Sequence, residues 1–257
     1  MHLRHEHTEN SIPVLRQLIK DFPLGVLTTA IPSAHHSFIQ SSHIPWVLDV
    51  QDDASETELG VLRGHMARAN PQTKAILESL SAENRTGAGS VLDQEVLVLF
   101  TAPAHSYVTP KFYVETKPTT AKVVPTWNYA AVQAYGRARI LYESKTEETS
   151  EFLNKQLHDL SQLGEQSIMG YTGQGGRPEP WTLSEAPQRY IDLSKMAIIG
   201  IEITIDRLQG KFKMSQELSE GDREGVVKGF KALGSDLGNN ISEMVKERGE
   251  LKQKLKQ

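Results

Sequence analysis

Three short polar stretches hold the residue types that do chemistry in this chain: "GHMARANP" (64–71), "VPTWNY" (124–129) and "GKFKMSQ" (210–216). In the first, the imidazole of His65 is able to ligate a metal or hydrogen-bond a planar cofactor, and the guanidinium of Arg68 to pair with a phosphate or carboxylate. The same residues equally suit an ordinary strand-to-helix turn, with His65 satisfied by backbone and Arg68 in solvent. In the second, strand alternation puts Trp127 and Tyr129 on one face and Asn128 on the other, after Pro125 and Thr126. That aromatic pair suits stacking on a ring, or a place in a core or interface. In the third, Lys211 and Lys213 share a strand face and are followed by Ser215 and Gln216. Two ammonium groups with hydroxyl and amide donors suit an anionic group such as phosphate, and also a solvated edge that resists aggregation. His5 and His7, and likewise His35 and His36, lack the helical spacing of a zinc site and read as solvated terminus and loop.

The absences narrow the chemistry. There is no cysteine among the 257 residues, so thiolate zinc, iron–sulfur clusters and thiolate-ligated haem are excluded, and any metal must use His, Asp, Glu, Tyr or Met. No Walker loop, dinucleotide fingerprint, "GxSxG" or "HExxH" is present. With 38% apolar and 23% charged residues and a formal charge of −4, the composition is that of a soluble globular protein with no global positive field. That balance, and the lack of a recognition helix followed by a basic patch, argue against direct nucleic-acid binding. No run approaches the ~18 apolar residues of a membrane span, and the opening "MHLRHEHTEN" has no apolar signal region. The expectation is a cytoplasmic protein without membrane contact.

The elements that must position these stretches follow from hydrophobic period. "SIPVLRQLIKDFP" reads as an amphipathic helix ending before Pro23. "LGVLTTAI", "FIQSSHIPWVLDV" and "ELGVLRG" read as strands, with Pro45 marking a bulge or an edge. Asn70 is placed as the N-cap and Pro71 as the first residue of a helix over "ANPQTKAILESL", leaving His65 and Arg68 in the turn before it. "EVLVLFTA" reads as a strand buried on both faces. "VVPTWNYAAVQAYGRARILYE" reads as a strand region broken by Gly136, and "AIIGIEITIDRLQGKFKMSQ" as two strands meeting near Leu208 to Gly210. A helix is expected over Glu147 to Leu163 and a mobile Gly/Pro loop over Gly170 to Pro180. In the last stretch Ile241, Met244, Val245, Arg248, Leu251 and Leu255 share a helical face. Strands outnumbering internal helices point to a mainly β, α+β fold, a small barrel with flanking helices.

In order along the chain, "PLGVLTT", "SSHIP", "LRGHMARANPQ", "PAHSYVTPKFY", "VPTWNYAAV" and "GKFKMSQE" resemble the PaiB-type family, the FMN-binding negative transcriptional regulators. The resemblance runs from about Pro23 to Glu217, where glutamate replaces an asparagine. It implies an FMN-binding-type split β-barrel, homodimeric, with cofactor sites between subunits. The domain reading is a barrel over 1–217 with a helical insertion around 146–195, then a helical extension over 218–257. The same barrel is similar to the haem-dependent piperazate synthases, which form a nitrogen–nitrogen bond. In that branch the matching histidine is the proposed axial ligand, so the resemblance implies either haem b, held by His65 with Arg68 at a propionate, or FMN, with Lys211 and Lys213 near its phosphate. The cofactor-binding set is therefore His65, Arg68, Asn70, Thr126, Trp127, Asn128, Lys211, Lys213, Ser215 and Gln216, with His65 the only candidate metal ligand and no catalytic residue assigned. Two functions follow: a redox or N–O-cleaving enzyme acting on a small molecule, or a PaiB-type transcriptional regulator without catalytic activity.

Overall fold

The structure, a computed structural model, describes residues 1–82 and 90–254. The chain begins with strand β1 (Thr8–Glu9), helix α1 (Ile12–Asp21), strands β2 (Leu24–Ala30), β3 (Ile39–Pro45), β4 (Val47–Asp49) and β5 (Val61–Ala67), and helix α2 (Pro71–Ala82). There follow β6 (Ser90–Thr101), β7 (Ser106–Val108), the short α3 (Thr116–Thr120), β8 (Thr126–Leu141), α4 (Glu147–Gln162), α5 (Gln188–Met196) and β9 (Ile198–Lys213). The helices α6 (Glu220–Lys231) and α7 (Asp236–Lys254) complete it. The fold is mainly an antiparallel sheet with flanking helices, in the hydrogen-bonded order β3-β2-β6-β8-β9-β5-β4, with β1 beside β9 and β7 beside β8.

The chain divides into two compact units, one of Met1–Leu18, Thr101–Gln133 and Gln209–Gln257, the other of Ile19–Phe100 and Ala134–Leu208. In the second unit, β5 pairs with β9 so that His65 faces Gly200 and Ala67 faces Ile198, while β2 pairs with β3 from Leu24↔Pro45 to Ala30↔Ile39. Although β3 ends the strand order, its Ile44 and the following Trp46 lie against Gly64 of β5, near the other end. A Cβ at Gly64 would come within 2.9 Å of the indole and 3.1 Å of Ile44 Cγ2. The sheet therefore rolls over on itself as a split barrel does. Leu62, Val98, Phe100, Ile140, Ile199, Ile201 and Ile203 are fully buried within it. Helix α2 starts where its capping chemistry puts it: Asn70 Oδ1 accepts from the Gln72 N–H at 2.8 Å, and Pro71 occupies the first position.

In the first unit, β1 lies along the end of β9 with Thr8 opposite Lys211, and β7 pairs with the start of β8, Tyr107 opposite Trp127. Helices α6 and α7 bury Val226, Phe230, Ile241 and Val245, and the Phe112 and Phe230 rings meet edge to face at 5.3 Å.

Several expected boundaries move, each for a contact distant in sequence. Gly136 does not break β8, because a Cβ there would lie 2.1 Å from the Thr204 carbonyl oxygen; the glycine admits a neighbouring strand. Likewise β9 is one strand of 16 residues, with Gly210 leaving room for the Leu15 side chain. His65 lies within β5 and only Arg68 follows it in the turn. In β6, Val96, Val98 and Phe100 are buried while Leu97 and Leu99 are half-buried, so one face is closed and the other partly open. Pro45 does sit on an edge strand. Helix α7 begins at Asp236 and packs through Ile241, Val245 and Gly249, which leaves Leu251 exposed; Leu255 lies outside the described residues. The Gly170 to Pro180 loop is exposed and pinned by Gly173 N–H to the Pro178 carbonyl (2.9 Å) and by Arg177 to the Gly170 carbonyl (3.0 Å).

Candidate functional site

The two lysines and their neighbours converge in the first unit, where the start of β8 and the end of β9 supply them. Lys213 Nζ donates to Thr126 Oγ1 and, at 3.0 Å, to the Trp127 carbonyl, and lies 3.7 Å from the Glu217 carboxylate. Asn128 is buried and exchanges two hydrogen bonds with the Ser215 hydroxyl, at 3.0 and 3.2 Å. Ser215 adopts φ 62, a left-handed conformation that costs a non-glycine residue about 1 kcal/mol or more and collects at functional sites. Gln216 clamps the backbone on both sides of Lys213: its amide oxygen accepts from the Met214 N–H at 2.6 Å and its amide nitrogen donates to the Phe212 carbonyl. Lys211 donates to the His2 carbonyl at 3.0 Å and stands 5.5 Å from the centre of the Tyr129 ring. The Trp127 indole is 49% exposed, with Tyr107 edge-on at 6.4 Å and its N–H donating to His105 Nδ1 at 3.4 Å.

His7, Glu217 and Tyr113, outside the expected set, adjoin this cluster. His7 is buried rather than solvated, and its Nε2 lies 2.9 Å from Glu217 Oε2. Burial pushes the Glu217 carboxyl up, but the hydrogen bond from His7, a backbone hydrogen bond and the Lys213 charge together hold it below the usual carboxylate range. Burial pushes the Lys213 ammonium below its ordinary value against the pull of Glu217. Tyr113 is pushed up by burial and by the charges of Glu217 and Asp222. The cluster thus sets an ammonium lowered by burial against a carboxylate held below its usual range, beside an exposed aromatic ring. It has the groups to hold an anion and a flat ring.

His65, Arg68 and Asn70 form a separate group in the second unit. Arg68 donates to the Met196 carbonyl at 2.9 Å and to the Tyr142 carbonyl, which pins the turn after β5. Asn70, besides capping α2, donates to Ser42 Oγ at 3.0 Å. His65 differs from both: its Nδ1 is buried without a hydrogen-bond partner, and burial lowers its pKa so that the ring is neutral at neutral pH. Among the described residues no group of three or more His, Asp or Glu is arranged to hold a metal ion, and no helix is long and apolar enough to cross a membrane.

Residues 1–207 match the family described as "Putative FMN-binding domain". An uncharacterised protein of Emericella nidulans is 58% identical over 256 residues, 99% of this chain and 100% of that protein. The Bacillus subtilis protein named protease synthase and sporulation protein PAI 2 is 23% identical over 208 residues, 81% of this chain and 80% of that protein. Among solved structures, a conserved hypothetical protein from Mycobacterium tuberculosis superposes with a TM-score of 0.47 at 12% identity, covering 86% of this chain and 95% of that one. With more than half its length matched, and a relative this similar along the whole chain, the protein belongs to the "Putative FMN-binding domain" family.

Proposed function

We propose that the protein binds FMN and acts as a redox protein on a small molecule. The observation that carries this reading is the Lys213–Thr126 and Asn128–Ser215 cluster beside the exposed Trp127 indole, in a chain whose family is described by FMN binding. The residues present fit that group. Ammonium and hydroxyl donors suit the phosphate, since charge-assisted hydrogen bonds to an anion are the strong ones. The exposed indole with Tyr107 suits the flat ring. The strained Ser215 is held in place by Asn128, which is what a pre-set binding edge requires. In the second unit, the unpartnered nitrogen of His65 makes it a candidate cofactor contact in its own right, a neutral imidazole with one hydrogen bond still to make. Arg68 and Asn70 hold the turn and helix start that follow it.

In this reading Lys213 and Lys211 hold the phosphate, Thr126 fixes the Lys213 ammonium, Gln216 fixes the backbone between them, and Glu217 with His7 sets the charge beside them. Bound FMN supplies hydride or single-electron transfer, while the protein binds, orients and shields. The unpartnered His65 nitrogen would also suit haem iron as a ligand, so the test titrates both cofactors. Purified protein is expected to show the two visible bands of a flavin and to regain them when the stripped protein is titrated with FMN. A Soret band in the purified protein, and saturable uptake of haem but not of FMN, would overturn the reading.

A further inference from the structure

We propose that His105 is a positioning residue of the flavin site: its Nδ1 holds the Trp127 indole in place, and protonation of that imidazole releases the indole. The role rests on FMN binding as proposed above and gives that binding a pH dependence. His105 belongs to the stretch "PAHSYVTPKFY" (103–113), between β6 and α3.

The backbone fixes both partners. β7 pairs with the start of β8, Ser106 opposite Asn128 and Tyr107 opposite Trp127, and the His105 N–H turns back to the Pro103 carbonyl at 3.1 Å. His105 therefore leads into β7 beside the indole, its ring centre 6.1 Å from that of Trp127 and the two planes 32° apart. The indole N–H donates to Nδ1 at 3.4 Å, its one side-chain polar contact among the described residues. That bond and the edge of Tyr107 are what restrain an indole 49% exposed. A platform already held still loses less on ordering when a ring is laid on it. The ring in turn takes the hydrogen bond out of water, where an unmade bond costs most.

The contact works in one protonation state. A neutral imidazole that accepts at Nδ1 carries its proton on Nε2, whereas an imidazolium donates from both nitrogens and would set its Nδ1–H against the indole N–H. Histidine is the side chain that changes charge between about pH 5 and pH 8. The other ionisable groups on these strands are Tyr107 on β7, Tyr129 on β8 and, at the end of β9, Lys213, which donates to the Trp127 carbonyl and has Glu217 beside it. Acidification therefore frees the indole and loosens its hold on a flat ring.

FMN is titrated into the full-length protein, stripped of bound flavin, at pH 8 and at pH 5, for the parent, His105→Asn and His105→Ala. Asparagine puts its amide oxygen where Nδ1 stood and does not titrate; alanine leaves the indole without its acceptor. His105 is exposed, so thermal melts of both variants should stay close to that of the parent. The FMN phosphate changes charge near pH 6 by itself, a contribution shared by all three proteins, so the difference from His105→Asn isolates the imidazole. At pH 8 the asparagine variant should bind within about twofold of the parent and the alanine variant about three- to tenfold more weakly, the size of one hydrogen bond. Between pH 8 and pH 5 the parent should lose about three- to tenfold more affinity than His105→Asn. Equal losses in those two proteins, an asparagine variant as weak as alanine at pH 8, or full affinity in His105→Ala would each overturn the role of His105 and leave FMN binding standing. No FMN binding by the parent at either pH would overturn both.

Discussion

His65 and Asn128 make opposite demands on water. The His65 ring is neutral because burial disfavours its charge, so as pH falls the unfolded chain takes up a proton before the folded one does. Stability from this group is full above its ordinary value of 6.5 and declines as pH drops through that value. His65→Gln should flatten the slope of unfolding free energy between about pH 7 and pH 5, measured by urea denaturation at several pH values. In the flavin reading, His65→Ala forfeits one hydrogen bond, about 0.5 to 1.5 kcal/mol, and weakens FMN roughly tenfold at most. Asn128 has both ends of its amide engaged by Ser215. Asn128→Ala should cost about 1 to 3 kcal/mol, since it leaves a buried hydroxyl unpaired and removes the support of a strained backbone; differential scanning calorimetry reads the drop. Lys213→Ala is expected to weaken FMN by about 1.5 to 3 kcal/mol in an equilibrium titration.

At the scale of elements, what reads locally was legible and what depends on a distant neighbour was not. Asn70 and Pro71 announce the start of α2 because a cap and a first-turn proline act within four residues. Gly136 and Gly210 looked like strand breaks because glycine is usually punctuation, and only the Thr204 carbonyl and the Leu15 side chain reveal them as clearances. His7 looked solvated for the same reason, its partner Glu217 being 210 positions away. The lysine and Thr126–Asn128 stretches were recognisable as polar clusters, and their meeting within one unit required the fold. The clearances give a paired test. Gly136→Ala pushes a carbon into a backbone oxygen and should cost about 3 kcal/mol or prevent folding. Gly164, in the helical turn after α4, has nothing within 4 Å of an added Cβ, so Gly164→Ala should be neutral or stabilising by up to ~1 kcal/mol. Thermal melts of the two variants decide whether clearance or glycine as such sets the cost.

For the whole molecule, exposed apolar side chains invite a partner copy: Leu24 is 59% exposed, Phe38 55% and Ile39 65% on the β2–β3 edge, and Trp127 and Val124 are similarly open. Size-exclusion chromatography with light scattering is expected to return a dimer at micromolar concentration, and Ile39→Lys to shift it toward monomer. One feature of the architecture also bears on how the chain is made. The first unit is stitched from three separated stretches, 1–18, 101–133 and 209–257, and β1 finds its hydrogen-bonding partner only at Gly210 and Lys211. On the ribosome the opening segment must therefore wait, unpaired, until β9 has left the exit tunnel. Pairings so far apart along the chain close slowly and leave half-made edges exposed to neighbouring polypeptides. A chain stopped after Leu208 lacks the strand end with which β1 pairs, and should leave Thr8 and Glu9 without those hydrogen bonds.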